Sequence, residues 1–310
     1  QDLVRKVYHT GFEYEDPNRK GVIRKQIPYY TFEHEFKDGF PIIGLKQSYP
    51  KMAFNEMKAF MMGKTNLNDL EDLGVTFWRK DAYNYYIKNK YKSENPYEYD
   101  SWLKEVLNNG SDNDGKITGD LGKIYSHQIR NWNDSIDQLN EVLERLKKNP
   151  MSTKNIVTMW NPSDLNECAL SPCHRDFEFI VEPLNWKQRN KIFEEQGNWI
   201  TIDGENIEKA YNEWFDSVGV PKYGLIIKWN QSSCDLFLGI PVNVLYYSFV
   251  CHVFAHYLGI EPLGIIGNLT NVHLYDNSFS AVEELLNRDA KEPKTVKIKT
   301  DFTKEWYNLD

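Results

Sequence analysis

Ala169-Leu170-Ser171-Pro172-Cys173-His174 is a short cysteine-centred turn between two strand-like runs, 155–160 and 177–182. A lone cysteine is most often an inert buried residue. A tight Ser-Pro-Cys-His turn differs, because it can present a thiol into a cleft. Only the thiolate is a good nucleophile, so such a thiol needs its pKa lowered by a cation or a helix end. Cys173 is the candidate nucleophile, and the surrounding chain must supply a binding site for what it attacks.

The whole chain bounds what that site can be. Its 310 residues suit one large α/β domain. Hydrophobic residues at 41% and charged residues at 26% are ordinary globular values, which excludes disorder. The 19 tyrosines and 9 tryptophans point to an aromatic-rich interior or a wide aromatic cleft. A net charge of −8 argues against nucleic acid as the partner and requires a local cationic pocket for any anionic substrate. The four cysteines have no framework spacing, and no signal-like or membrane-length apolar run occurs. A reduced, cytoplasmic protein with no membrane partner is expected. In that compartment Asn268-Leu269-Thr270 is not a glycosylation site.

Outward from the turn, alternation predicts strands over 22–27, 29–36, 223–229, 263–266 and 294–299. Helical periodicity predicts helices over 52–62, closed by Gly63, and over 67–73. The clearest amphipathic helix spans 134–148, with Ile136, Leu139, Val142, Leu143 and Leu146 on one stripe. The tyrosine-rich stretches 81–91 and 97–107 have no clear assignment. The loop at 108–115 has calcium-loop composition but neither the ligand spacing nor the closing glutamate. Residues 241–259 are apolar nearly all round, the mark of a helix buried at the domain centre. Residues 185–222 are charged, helical in texture and read as a peripheral insertion. Without repeats or low-complexity linkers, 1–310 is expected to be a single domain.

Metal is a weak reading. Cys168-x4-Cys173-His174 and Cys251-His252-x3-His256 place potential ligands together, but the glutamate of a zincin is absent and no second cysteine pair matches. Core packing accounts for these residues, and no metal is expected. Gln231-Ser232-Ser233-Cys234-Asp235 and Leu238-Gly239-Ile240-Pro241-Val242-Asn243 carry more information. They lie between a strand and the buried helix, so Asn243 would point inward from its first turn. A buried amide must be hydrogen-bonded, and its paired donor and acceptor suit a uracil edge.

These motifs, with His273-Leu274-Tyr275-Asp276-Asn277 downstream, occur in the order found in folate-dependent thymidylate synthases. Asp38-Gly39-Phe40-Pro41, Gly63-Lys64-Thr65-Asn66, Gly119-Asp120-Leu121-Gly122 and Val157-Thr158-Met159-Trp160-Asn161 fit the same pattern. The chain resembles that superfamily, which includes dUMP and dCMP hydroxymethylases, over roughly 15–183 and 223–299. The resemblance implies an α/β (α+β) fold with a large mixed sheet packed on helices, and a homodimer formed through the sheet with shared active sites. It implies a uracil nucleotide, dUMP, as substrate and 5,10-methylenetetrahydrofolate as co-substrate. Cys173 would add to C6 of the pyrimidine and activate C5. Glu56 matches the acid/base glutamate, working with ordered water. Tyr125 matches a tyrosine near the site, and Asn243 the residue that reads the base. Arg19, His174, Gln231, Ser232 and Ser233 fall in the substrate-binding motifs, and His273 with Tyr275 matches the pair on the ribose 3′-hydroxyl. Trp78, Asp235 and Gly239 match the folate side.

Departures from the pattern bear on the reaction. Ser232 stands where an arginine normally touches both phosphate and thiolate, which removes a bidentate cation. Thr153 and Lys154 align with two arginines lent by the partner subunit. Phosphate binding would then be rebuilt from Lys228 or the 185–222 insertion, or the ligand would differ. Asp81 replaces a cleft tryptophan, and 300–310 lacks the tail that excludes water in this superfamily. A reactive pyrimidine intermediate open to water would be hydroxymethylated rather than reduced to a methyl product. Viral deoxynucleotide hydroxymethylases perform that chemistry, so a dUMP hydroxymethylase is expected ahead of a thymidylate synthase. The reading from a different class is a degraded homologue kept for binding.

Overall fold

The computed structural model describes residues 1–17, 19–90, 97–110 and 118–289. In chain order it runs α1 (Asp2–Thr10), β1 (Phe12–Glu15), β2 (Ile23–Glu35), α2 (Pro50–Met61), α3 (Leu67–Asp72), α4 (Arg79–Lys90), α5 (Tyr99–Asn109), α6 (Tyr125–Arg130) and α7 (Gln138–Lys148). There follow β3 (Ile156–Thr158), β4 (His174–Pro183), α8 (Trp186–Glu195), α9 (Ile207–Ser217), β5 (Tyr223–Gln231), β6 (Cys234–Asp235), α10 (Gly239–Leu258), β7 (Glu261–Tyr275) and α11 (Phe279–Leu286). The expected strand at 294–299, the tail at 300–310 and most of the 108–115 loop lie outside the described residues.

The strands form one mixed sheet in the order β1-β2-β7-β5-β4-β3, with β6 paired to β7. β5 and β6 run parallel to β7, and the other neighbours are antiparallel. One face carries Phe177, Phe179, Leu225, Ile227, Trp229, Ile265 and Leu269, all buried. α10 packs on that face and α2 packs on α10. The 20-residue α10 is apolar on nearly every side, so it is enclosed by sheet and helices alike. It ends at Gly259 in the left-handed conformation, φ 66°, which glycine adopts without a side-chain penalty.

The centre of the sheet shows how closely the core is fitted. Phe32, Gly267 and Trp229 sit side by side on β2, β7 and β5. A Cβ on Gly267 would meet Phe32 at 2.5 Å and Trp229 at 2.8 Å, so only glycine leaves room for the two rings. The Trp229 indole stacks on Tyr247 of α10 with centroids 4.5 Å apart, which ties sheet to helix.

Several boundaries differ from expectation for local reasons. The predicted pair 22–27 and 29–36 is one strand, β2, and the short strand at 263–266 is the long β7. The helix expected from 134 starts at Gln138. Asn133 and Asp134 have positive φ, Trp132 and Ile136 form a bridge, and Asp137 caps the helix by accepting from Asn140 N at 3.0 Å. The unassigned tyrosine-rich stretches are α4 and α5, where Tyr83, Tyr86 and Tyr99 surround the buried Trp102. Residues 185–222 hold α8 and α9 around their own apolar cluster of Tyr211, Phe215 and Val220. Arg189 is buried there, bonded to Asn212, Asp216 and the Val220 carbonyl.

Replacing Trp229 with alanine removes a fully buried indole stacked between sheet and α10. We expect Trp229→Ala to lower the unfolding free energy by about 3–5 kcal/mol, read from a urea melt.

Candidate active site

The strands meet α10 and the N-terminal ends of α2 and α6 around a cavity of about 610 Å³. That volume lies in the range of small-molecule sites. The Cys173 turn enters it where β4 begins. A bulge between His174 and Asp176 interrupts the β4–β5 register there, and bulges re-aim side chains. The Cys173 amide donates to the Tyr125 hydroxyl at 2.8 Å, and its carbonyl accepts from Ser232 N at 2.8 Å. The residue is thus held from both sides. Of the four cysteines, all free, Cys173 alone is not buried.

Its surroundings do not favour the thiolate. Burial pushes the Cys173 thiol up, while hydrogen bonds from Ser233 and Tyr125 pull it back in part. Ser232 bonds the Cys173 carbonyl through its hydroxyl at 3.2 Å rather than facing the sulfur.

Glu56, on α2, is buried at 8% exposure and accepts from Trp78 Nε1 at 2.9 Å. Desolvation raises its pKa to about 7, against the pull of that hydrogen bond. A carboxyl there exchanges protons near neutrality, which is what a general acid/base needs. His174 is held at about 4 by burial, so its ring is neutral; Nδ1 pairs with the Tyr247 hydroxyl at 2.7 Å. Burial also lowers His273. Its Nδ1 lies 2.7 Å from the Asn271 carbonyl and must carry the proton, which leaves Nε2 as an acceptor.

The amides are equally constrained. Asn243 Nδ2 donates to Gln231 Oε1 at 3.1 Å, and that oxygen also accepts from Trp229 Nε1. Gln231 Nε2 donates to the Ser233 carbonyl, which fixes the orientation of its amide and so of Asn243. Asp235 Oδ1 accepts the amides of Phe237 and Leu238, both at 3.0 Å, at the entry to α10. Oδ2 remains for a ligand donor. Arg19 lies over the Tyr275 ring at 4.7 Å, and Tyr275 packs edge-on to His273.

The cavity therefore gathers Cys173, Glu56, Tyr125, Asp235, Asn243, Arg19, His174, Gln231, Ser233, His273, Tyr275, Trp78 and Gly239. Ser232, Lys154 and Asp81 do not line it. Lys154 and Thr153 are exposed, and Asp81 is half-buried on α4, within electrostatic reach of Arg19. Lys228 is not a cavity cation: it points from β5 to Glu178 of β4 at 2.6 Å. No described residue of 185–222 lines the cavity either. Lys46 does, and it went unrecognised in the sequence, where a single lysine in a loop gives no signal. It bonds the Phe237 carbonyl, lies over that ring, and has its pKa lowered by burial. Tyr246 and Tyr247 were hidden in the apolar pattern of α10. Among the described residues no group of three His, Cys, Asp or Glu side chains is arranged for a metal. No helix among them is long and apolar enough to cross a membrane.

Trp78, Phe77, Pro241 and Val242 are apolar members of the cavity lining, and Asp235 belongs to the same lining.

Because the native pKa of Glu56 is raised, its stabilising contribution is present below the unfolded value and is lost as pH rises towards about 7. Glu56→Gln keeps an acceptor for Trp78 and removes the titration. We expect its unfolding free energy to match wild type near pH 4 and to exceed it by roughly 3 kcal/mol at pH 8, measured in paired urea melts.

Sequence comparison agrees with this geometry. The family model described as thymidylate synthase matches residues 1–309. The thymidylate synthase of Mycoplasma genitalium is 29% identical over 282 residues, 91% of this chain and 83% of that one. That of Malacoplasma penetrans is 28% identical over 299 residues, covering 96% and 87%, and that of Listeria monocytogenes is 29% identical over 317, covering 95% and 88%. The chain belongs to the thymidylate synthase family, enzymes that use 5,10-methylenetetrahydrofolate to transfer a one-carbon unit to C5 of a uracil nucleotide.

Proposed function

We propose that the substrate is dUMP, that Cys173 is the nucleophile, and that the product is 5-hydroxymethyl-dUMP. The observation that carries the chemistry is the convergence of Cys173, Glu56, Asn243 and His273 on one cavity. The thiolate forms a bond to C6, and the C5–C6 electron pair moves towards C5 and O4. Asn243, its amide oriented by Gln231, reads the uracil edge. His273 Nε2 and the Tyr275 hydroxyl hold the ribose 3′-hydroxyl. Arg19 meets the phosphate, and Ser233 and Gln231 line its approach. Methylenetetrahydrofolate supplies the one-carbon unit. C5 bonds that carbon and then gives up its proton, and the freed pair expels tetrahydrofolate to leave an exocyclic methylene on the ring. Water adds to the methylene and loses a proton, and the resulting enolate expels the thiolate from C6 and restores the ring.

Hydroxymethylation is supported by three polar groups in a mostly apolar lining, the Glu56 carboxyl and the Tyr125 and Tyr246 phenols, which would keep water beside C5. The second reading, thymidylate with dihydrofolate, is favoured by the names of the relatives. The exposed face of the sheet, with Ile180, Ile226 and Ile266 among polar residues, is proposed as the surface for a second copy. Lys154 would then reach the partner's phosphate.

Incubation with dUMP and methylenetetrahydrofolate distinguishes the products. Tetrahydrofolate with 5-hydroxymethyl-dUMP is expected; dihydrofolate with dTMP rejects the hydroxymethylase reading. Cys173→Ala should abolish turnover, and an active variant overturns the nucleophile. Asn243→Asp should move the preference for kcat/KM from uracil towards cytosine nucleotides by about tenfold or more, since a reversed donor leaves buried groups unpaired.

A further inference from the structure

Three phenols line the cavity near Glu56: Tyr125, Tyr246 and Tyr247. Two are engaged by the protein. Tyr125 accepts the Cys173 amide, and the Tyr247 hydroxyl pairs with His174. Tyr246 is buried, at 7% exposure, with its ring between Phe60, His174 and Tyr247. Its hydroxyl makes no hydrogen bond to any described residue; burial and the nearby Glu56 carboxylate are what perturb it. Enclosed polar atoms without partners exist elsewhere, at Ser126 and Asn155, but the Tyr246 hydroxyl is not one of them. It opens on the cavity.

Glu56 has the complementary vacancy. Oε1 is taken by Trp78, and no described residue bonds Oε2. A buried phenol and a buried carboxyl, with no described residue bonded to the Tyr246 hydroxyl or to Glu56 Oε2, line the same cavity, close enough for the carboxylate to act on the phenol. Native proteins pair such groups, with ordered water where no side chain serves. A water there has the polar partners it needs.

We propose that Tyr246 is a positioning residue that, with Glu56, holds the water through which a proton reaches O4 of the pyrimidine. The inference rests on the one-carbon transfer reading above. When the Cys173 thiolate bonds C6, the C5–C6 pair forms the C4–C5 double bond, and the C4–O4 pair becomes a lone pair on O4. O4 takes a proton from the water, and the water takes one from the Glu56 carboxyl. On elimination the proton returns by the same path, so Glu56 ends as it began. The Tyr246 hydroxyl fixes where the water oxygen sits. This role is the same whether the product is methyl or hydroxymethyl.

The test is Tyr246→Phe, which keeps the ring. An unpartnered buried hydroxyl contributes nothing to the fold, so the thermal midpoint should equal or exceed that of wild type. The rate of covalent adduct formation with 5-fluoro-dUMP and methylenetetrahydrofolate should fall by about tenfold or more, and kcat with it. Affinity for dUMP should stay within about twofold. Combined with Glu56→Gln, the variant should be no slower than Glu56→Gln alone, because both act on one water. Unchanged adduct kinetics overturns the proposal. So does a lowered midpoint, which would place the hydroxyl in the fold rather than in the reaction. A wild-type protein that forms no adduct overturns the one-carbon transfer reading, and this inference falls with it. Adduct formation by wild type with an equally fast Tyr246→Phe rejects Tyr246 alone.

Discussion

Everything at the site depends on how the backbone of one residue is held. Cys173 has its amide on the Tyr125 hydroxyl and its carbonyl on Ser232 N. Each partner is itself fixed. Tyr125 opens α6, whose Gln128 is bound to Asp164, and Asp164 is bound in turn to Asn161 and Lys123. Ser232 follows β5, where its carbonyl accepts from Asn271 Nδ2 on β7. Asn271 adopts φ 53°, and its side-chain oxygen accepts from Gln26 of β2. A chain of hydrogen bonds thus runs from the second strand through the seventh and fifth to the thiol-bearing turn. The strand branch, Gln26–Asn271–Ser232, is built from neutral groups, whereas the Tyr125 branch passes through the Asp164–Lys123 ion pair.

Neutral groups mark the cavity as well. Burial holds His174 and His273 neutral and brings Glu56 to about 7. On the proposed chemistry the pyrimidine would be read by the direction of amides and phenols, with Arg19 left for the phosphate. Such a surface rejects the wrong base strongly, because a reversed donor leaves a desolvated group with no partner. The fixed sequence of bonds from Trp229 through Gln231 to Asn243 gives that rejection its rigidity.

The mixed α/β class, the buried α10 and most members of the site were legible in the sequence. Long apolar periodicity and the motif order around Cys173 carried them. What escaped did so for physical reasons. β7 reads as a fragment because its apolar run ends at Ile266; Asn268 and Thr270 continue the alternation as polar positions that bond β5, and Asn271, at φ 53°, breaks it. α7 starts late because Ile136 belongs to a turn, although its spacing fits the helix stripe. Lys228 resembled a spare cation until Glu178 appeared opposite it on the adjacent strand. Tyr246 counted as one more apolar position, since periodicity cannot separate a core phenol from one whose hydroxyl faces a cavity.

Ser232 gives the site a different balance from one built on a guanidinium. Its amide and hydroxyl both serve the Cys173 carbonyl, so the position holds the turn rather than the charge. With burial pushing the thiol up, Cys173 rests as the neutral thiol, which is slow towards oxidants and stray electrophiles. On the proposed chemistry the thiolate then forms only when a pyrimidine lies against it. Protonation at O4 and attack at C6 become two halves of one event: the ring accepts the sulfur's electrons only as fast as O4 receives a proton. A weakly ionised thiol needs that coupling more than a strongly ionised one. Loss of a cation beside the sulfur therefore places greater demand on the acid at the other end of the ring, where Glu56 titrates near neutrality beneath the Trp78 indole.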